Sequence, residues 1–349
     1  MTIAKELCKQ ARKGIDVRML IDSFGAKKFY RGYADKLRRC GAGVLLFNPP
    51  RWDLGKIAYV MHEKLLIVDG ESVMMGGNGI QNSYHHIKPA HKFFHDMEAK
   101  IKGPTACWFH NKFIETYKQS ILRDSPIMLP GDRPRSRDYE ELLYGPFNFI
   151  ECEYKNFGSS KVMPVYNNPL FSSKSTRPIF DSYIGAFSVS DEEVMLYSPY
   201  FVPHDRFISL LLWARNRGVK VTIITNSIRS NDEGVTTLVG MVYKIGKLIK
   251  AGVKIRLWSK DTTMHRKGGI FDKKYAFIGS DNLDTRGHNY SAESIAFVED
   301  ENFVDMLTDS YEKDLENTFP LTKTYIQKIL NSTGKFNKWA IRNILMKYL

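Results

Sequence analysis

The segment Met61 to Gly77, MHEKLLIVDGESVMMGG, sets His62 and Lys64 two residues apart at the entrance to a short apolar run, Leu65 to Val68. In an extended backbone a separation of two sends both side chains to one face. An imidazole beside an ammonium suits phosphoryl chemistry: the imidazole supplies a nucleophile or a proton, and the ammonium neutralises anionic oxygen. Taken alone, the pair reads equally well as an edge histidine beside a solvated lysine. A second copy changes that balance. Residues 264 to 280 read MHRKGGIFDKKYAFIGS, with His265, Lys267 and Asp272 in the same H-x-K-x4-D frame as His62, Lys64 and Asp69. The offset is constant, since 265 − 62, 272 − 69 and 279 − 76 all equal 203. An identical frame with a matching Gly-[Gly/Ser] tail, Gly76-Gly77 and Gly279-Ser280, marks an internal repeat.

Two such frames facing one phosphate from opposite sides complete a two-step displacement. One histidine attacks phosphorus, the other protonates the departing oxygen, and two lysines neutralise the non-bridging oxygens of the transition state. This chemistry needs no metal and no cofactor. The elements that position the frames repeat as well. Ala11 to Asp22 matches Arg215 to Thr225 as a helix end, a glycine stop and an apolar strand. Cys40 to Phe47 parallels Ala251 to Trp258, and Asp69-Gly70 is a hairpin signal between Leu65–Val68 and Ser72–Met75. Strands alternating with helices predict an α/β fold of two homologous lobes, each a mixed sheet flanked by helices, related by a pseudo-two-fold axis. Val194 to Phe201 reads as a further strand, followed by a helix over Asp205 to Arg217. The same distance ahead of Gly14 falls before Met1, so the first lobe is expected to lack its N-terminal strand.

A length of 349 residues accommodates two lobes of about 150 residues with sizeable cores. The expected division is residues 1–125 for the first lobe, 126–180 for a connecting segment, 181–320 for the second lobe and 321–349 for a basic amphipathic tail. The boundary is placed in Arg123 to Arg137, rich in proline and charge, and Asn167 to Pro178 reads as a surface loop. A net charge of +13 favours an anionic partner: phospholipid headgroups, nucleic acid or a phosphorylated substrate. Cys8, Cys40, Cys107 and Cys152 are unevenly spaced, which predicts neither a disulfide framework nor a metal site and favours a reducing compartment. No run of eighteen apolar residues and no opening signal peptide is present.

The two frames resemble the paired HKD motifs of the phospholipase D superfamily, and the wider sequence is most similar to the bacterial cardiolipin synthase branch over roughly residues 4 to 300. Thr225-Asn-Ser-Ile-Arg-Ser-Asn-Asp232 resembles the TNS-x-x-S-x-D segment of that branch. Gly279-Ser-Asp-Asn282-Leu-Asp-Thr-Arg286 resembles its GS-x-N-x-D-x-R segment. Phe94-His-Asp96 to Pro104 and Glu293 fall where the family carries its carboxylates. The resemblance implies phosphodiester transfer on a phosphatidylglycerol-like anionic phospholipid through a phosphohistidine, with phosphatidyl transfer of the cardiolipin-synthase type ranked first. It implies His62 as nucleophile, His265 as general acid and then base, and Lys64, Lys267 and Asn282 on the phosphoryl oxygens. Asn78 and Ser280 are further candidates for phosphate binding. Asp96 and Glu293 would orient the imidazoles across the lobe interface. Asp69 and Asp272, though named in the motif, would support the hairpins. The implied setting is peripheral association with a bacterial-type inner membrane or the cytoplasm, as a monomer carrying both motifs. A hydrolase that uses water, a nuclease, and an impaired membrane-binding homologue are the alternatives, with nucleic acid ranked second as partner.

Two positions depart from the family pattern. Gly76-Gly77-Asn78-Gly79 has glycine where G-G-x-N is usual, so that Asn78 becomes the nearest substitute, and Ser291 replaces an asparagine. Tyr84-His85-His86, His91 and His95 form a histidine-rich stretch whose spacing fits no common zinc pattern and suits a pocket rim better. In the C-terminal stretch, Phe336, Trp339, Ile344 and Tyr348 recur at roughly helical spacing among Lys338, Arg342 and Lys347. A basic amphipathic helix of this kind lies on an anionic bilayer or packs on its own lobe, and the sequence leaves both open.

Overall fold

A computed structural model describes residues 2–49, 58–88, 92–124, 148–153, 158–172, 176–347 and 349. The expected boundary segment therefore lies, from residue 125 to 137, outside the described residues, as does His91.

The first lobe runs α1 (Thr2–Arg12), β1 (Arg18–Asp22), α2 (Lys27–Arg38), β2 (Gly43–Phe47), β3 (Val60–Met61), β4 (Leu65–Val68), β5 (Ser72–Gly76), β6 (Phe94–His95), β7 (Glu98–Lys102) and α3 (Pro104–Asp124). After β8 (Lys161–Asn167), the second lobe runs α4 (Pro178–Ser188), β9 (Glu193–Tyr197), α5 (Asp205–Asn216), β10 (Lys220–Thr225), α6 (Val235–Lys244), α7 (Gly246–Lys250) and β11 (Lys254–Trp258). It continues with β12 (Thr263–Met264), β13 (Gly268–Phe271), β14 (Tyr275–Gly279), α8 (Thr285–Tyr290), β15 (Ser291–Glu299), α9 (Glu301–Glu316) and β16 (Thr318–Pro320), followed by α10 (Lys323–Asn331) and α11 (Lys335–Asn343).

The sheet of the second lobe has the order β16-β11-β10-β9-β13-β14-β15, with β8 on the far side of β15. Strand β9 joins its parallel half, β9-β10-β11, to its antiparallel half, β13-β14-β15. The first lobe repeats both halves, as β1-β2 parallel and β4-β5-β7 antiparallel. Among the described residues it has no counterpart of β9, so its two halves form separate sheets, as the repeat predicts.

That difference decides which surfaces are covered. In the second lobe Phe187 of α4 packs on Phe271, with ring centroids 5.5 Å apart, and Tyr183 packs on Phe277 at 5.1 Å. Val68 and Met74 occupy the same frame positions, 271 − 203 and 277 − 203, and lie on an open face with Leu66, exposed by 47%, 37% and 54%. The turn aspartates diverge for the same reason. Asp69 and Asp272 share the left-handed conformation that aspartate tolerates, with φ of 55° and 50°. Asp272 accepts hydrogen bonds from the backbone N–H groups of Asp191, Glu192 and Glu193 at 2.7, 3.0 and 2.8 Å, pinning the entry of β9 to the hairpin. Asp69 is exposed and, among the described residues, has no such segment to hold.

The cysteine expectation is overturned. Cys8 pairs with Cys40 and Cys107 with Cys152, with Cα atoms 5.2 and 5.6 Å apart, so no free cysteine remains. Sequence spacing is blind to this pairing because it is set by packing. Helix α1 lies along α2, and the stretch around Ile150 lies along α3, where Asn111 Nδ2 donates to the Ile150 carbonyl at 2.9 Å. The preference for a reducing compartment loses its basis with that correction.

Candidate active site

Each histidine is delivered by a two-residue strand that crosses to the other lobe. Strand β3 pairs in parallel with Ser291-Ala292, which places His62 beside Glu293, and the His62 N–H donates to the Ala292 carbonyl at 2.9 Å. Strand β12 pairs in parallel with β6, which places His265 beside Asp96, and the His265 N–H donates to the His95 carbonyl at 2.8 Å. The side chains follow the backbone. His62 Nδ1 lies 2.8 Å from Glu293 Oε1, and His265 Nδ1 lies 2.6 Å from Asp96 Oδ2. Each lobe thus supplies the histidine of one pair and the carboxylate of the other.

The lysines complete the cluster. Lys267 Nζ sits 2.8 Å from His265 Nδ1 and 3.2 Å from Nε2, and donates to the His265 carbonyl at 2.6 Å. Lys64 Nζ donates to the His62 carbonyl. Both lysines are fixed by the backbone of the histidine they accompany. The two imidazoles differ in access: the His62 side chain is 28% exposed and that of His265 5%.

Burial dominates the electrostatics. It pushes the His265 imidazole down to about 4, with the Lys267 charge acting in the same direction and Asp96 opposing. His62 is held well below its ordinary range by burial, then by Lys64 and Lys267. Burial pushes the Lys267 ammonium down to about 7 against the pull of Asp96, and lowers Lys64 against that of Glu293. The carboxylates split. Burial would raise Asp96, but Lys267 and then His265 outweigh it and hold the group below its usual range. Burial and then Asp281 push Glu293 well above its own. At neutral pH the imidazoles are uncharged, and His265 faces an ionised carboxylate.

The Gly-[Gly/Ser] tails supply the space this packing requires. A Cβ on Gly77 would fall 2.2 Å from Asp96 Oδ1. At the matching position Ser280, expected to bind phosphate, carries a hydroxyl that donates instead to Glu293 Oε2 and so supports that carboxylate. Asn282 is buried, and its side-chain oxygen has no hydrogen-bond partner among the described residues. Asn78 is partly exposed beside Gly79. A Cβ at Gly79 would meet the Tyr84 ring at 2.9 Å, so the tyrosine occupies the space that the usual asparagine would enter.

Sequence reasoning missed part of the surroundings. Phe94 stacks on His265 with centroids 5.0 Å apart, while Tyr84 and Tyr200 meet it edge-on at 5.3 and 6.1 Å. In the sequence Phe94 stands out only as the start of the segment that carries Asp96, and Tyr84 only within the histidine-rich stretch. Behind Glu293 lies a buried polar group. Asp281 accepts from Tyr183 Oη at 2.8 Å and meets His288 Nε2 at 3.0 Å, while Glu63, pushed up to about 7 by burial, accepts from Ser294 Oγ at 2.5 Å. The pairing of Asp281 with His288, seven residues on, was the signal available. His95 meets Asp314 Oδ1 at 2.8 Å and stacks on Trp258, and His86 stacks on Phe93. Among the described residues no group of three or more His, Cys, Asp or Glu side chains is placed to hold a metal ion. Asp69 and Asp272 stand at the opposite ends of β4 and β13 from the lysines.

The family described as "Cardiolipin synthase, PLD-like domain" matches residues 1–114 and 183–315. A cardiolipin synthase of Oceanobacillus iheyensis is 26% identical over 328 residues, covering 93% of this chain and 63% of the relative. The major cardiolipin synthase of Bacillus subtilis is 24% identical over 328 residues, with the same coverage of 93% and 63%. The chain thus spans less than two thirds of the length of these relatives. The crystal structure of a phosphatidylserine synthase from Haemophilus influenzae shares the fold, with a TM-score of 0.67 and 15% identity, over 100% of this chain and 93% of that one.

Proposed function

Because the chain belongs to the cardiolipin synthase, PLD-like domain family, we propose that it is a phosphatidyltransferase of the cardiolipin-synthase type, working through a phosphohistidine. The observation that carries this reading is the exchange of carboxylates between lobes, His62 with Glu293 and His265 with Asp96, which occupies each Nδ1 and turns the Nε2 edges to the reaction, that of His265 with Lys267 Nζ 3.2 Å away. In the first step Nε2 of His62, the more open imidazole, attacks phosphorus. The bond to the departing alcohol oxygen breaks, and His265, acting from its protonated form, gives that oxygen its Nε2 proton and returns to the neutral imidazole. In the second step His265 takes the proton of an acceptor hydroxyl, the new P–O bond forms, the P–N bond breaks and His62 is freed. Lys64, Lys267 and Asn282 hold the non-bridging oxygens, and Asn78 lines the first-lobe side. Asp96 and Glu293 keep the rings in register, with Ser280 fixing Glu293. Water in place of the acceptor alcohol makes the same site a phospholipase.

The donor is a phosphatidylglycerol-like anionic phospholipid, in keeping with the names of the curated relatives and the charge of +13. No described helix is long and apolar enough to cross a membrane. We place the chain at the bilayer surface as a peripheral monomer with both motifs in one polypeptide.

The test is turnover of phosphatidylglycerol in the presence of a chelator, with and without a short alcohol, alongside single-stranded DNA. His62→Ala and His265→Ala should each cost on the order of 10³-fold or more in lipid turnover. Turnover that survives either substitution rejects the mechanism. DNA cleavage without lipid turnover rejects the substrate. Vesicle binding with neither activity identifies an impaired homologue.

A further inference from the structure

The C-terminal stretch resolves into two faces. Ile329 of α10 and Ile341 of α11 are buried in the core of the second lobe with Leu238, Val239 and Met241 of α6. The opposite side carries Phe336, exposed by 76%, and Trp339, exposed by 54%, with their rings stacked at 6.1 Å, and Ile344 and Leu345 are exposed beyond them. The two readings left open by the sequence thus coexist on different faces. Packing on the lobe uses the isoleucines, and the aromatic pair remains outside.

Charge says what this outer face fits. Residues 323–349 contain Lys323, Lys328, Lys335, Lys338, Arg342 and Lys347 and no aspartate or glutamate. Lys323, Lys328, Lys335 and Arg342 are exposed, whereas Lys338 is turned back to the Leu330 carbonyl at 3.0 Å. Two stacked aromatic rings projecting from a helix fringed by cations and free of acids match a layer with an anionic surface and an apolar interior. An acidic protein partner would explain the cations but not the projecting rings, and a nucleic-acid backbone likewise.

The tail is also tied to the site. The Arg286 N–H donates to the Leu349 carbonyl at 3.1 Å, and Arg286 stands on α8, four residues beyond Asn282. The charge of Arg286 reaches His62, where it adds to the depression of that imidazole.

We propose that α11, through Phe336 and Trp339 and the cations around them, docks the chain on an anionic phospholipid bilayer and brings α8, which carries Arg286, toward it. This rests on the lipid reading of the site for its purpose, but not for its existence as a surface. A bilayer is favoured because aromatic side chains with apolar bodies settle at the headgroup boundary, where cations meet lipid phosphates.

The experiment is co-sedimentation of the full chain with vesicles of equal parts phosphatidylglycerol and phosphatidylcholine, and with phosphatidylcholine vesicles alone. The double variant Phe336→Ser/Trp339→Ser should lower partition onto the mixed vesicles by roughly tenfold or more. Lys328→Gln/Lys335→Gln should lower it by roughly fivefold per lysine, an effect lost in high salt. Thermal melting should match the parent, since all four side chains point outward. Turnover of short-chain phosphatidylglycerol in detergent micelles should be unchanged in both variants, whereas turnover on vesicles should fall with partition. Undiminished vesicle binding by the aromatic variant overturns the proposal, as does equal binding to phosphatidylcholine alone, or a loss confined to DNA binding. A chain that turns over no lipid yet loses vesicle binding on Phe336→Ser/Trp339→Ser refutes the catalytic reading and leaves the docking surface standing.

Discussion

At the residue scale, Lys267 sets function against stability. Burial lowers its folded pKa to about 7, far below the value of about 10.4 that an unfolded chain shows. The ammonium proposed to hold a phosphoryl oxygen is present below pH 7 and lost as pH rises through it, while both imidazoles of the free site are already largely neutral. Beyond the fall set near pH 4 by His265, which must carry a proton to act as the acid, the kcat/KM profile should therefore show a steeper alkaline limb near pH 7 that Lys267→Arg moves upward because a guanidinium stays charged. A profile with no such limb would show that the lysine keeps its proton. Stability runs the other way. Between the folded and unfolded pKa values the unfolded state binds the extra proton, so this group favours folding more as pH rises from about 7 toward 10. Lys267→Met should accordingly melt a few degrees above the parent at neutral pH while losing about 10²- to 10³-fold in turnover. His265 and Asp96 offer a second test at this scale. Asp96→Asn keeps the shape but not the charge that fixes the ring tautomer, and should cost on the order of 10²- to 10⁴-fold in kcat, with KM little changed.

At the element scale, the hairpins act as carriers whose tails must leave room for a carboxylate from the other lobe. Gly77→Ala puts a methyl group 2.2 Å from Asp96 Oδ1 and should reduce turnover with the circular dichroism spectrum intact. Gly158→Ala, with nothing within 4 Å of the added atom, is the control. Gly79→Asn restores the usual family residue but drives its Cβ into Tyr84, so it should lower activity unless position 84 is made smaller as well. Much of this scale was legible in the repeat. The strand and helix boundaries around both frames follow from hydrophobic period and turn residues, which are local signals. The fit of Gly79 to Tyr84, the aromatic wall around His265 and both cysteine pairs are products of packing between distant segments, which no spacing rule encodes. The exposed Leu66, Val68 and Met74 carry a further consequence, since Phe271 and Phe277, the partners of Val68 and Met74 in the frame, are covered by α4. Replacing all three by threonine should reduce binding of a hydrophobic dye and self-association without lowering the melting temperature, because the side chains already face solvent.

At the scale of the whole molecule, the reciprocal histidine–carboxylate exchange ties the two lobes together, and under the proposed mechanism it makes them one catalytic unit. The sequence showed that two half-sites exist, and the family resemblance indicated where their carboxylates stand. The route by which the exchange is made, β3 against the start of β15 and β12 against β6, became visible only in the fold. Strands of two residues carry too little periodicity to be read from sequence, and their register depends on a partner far along the chain. This architecture predicts a definite pattern of energetic coupling. Glu293 acts through His62 in the other lobe, so Glu293→Gln should cost on the order of 10²-fold or more in an otherwise unaltered chain and almost nothing once His62 is alanine. Asp96 and His265 should show the same dependence. The cross pairs should behave otherwise: Glu293→Gln acts on the attacking group and Asp96→Asn on the proton donor, so the double variant should lose more than either single one. A cycle in which Glu293→Gln has its full effect in the absence of His62 would place its action outside the imidazole, in holding the lobes together. Melting temperatures measured on the same four proteins separate these outcomes, because a clamp between lobes lowers stability in both backgrounds and a positioning carboxylate does not.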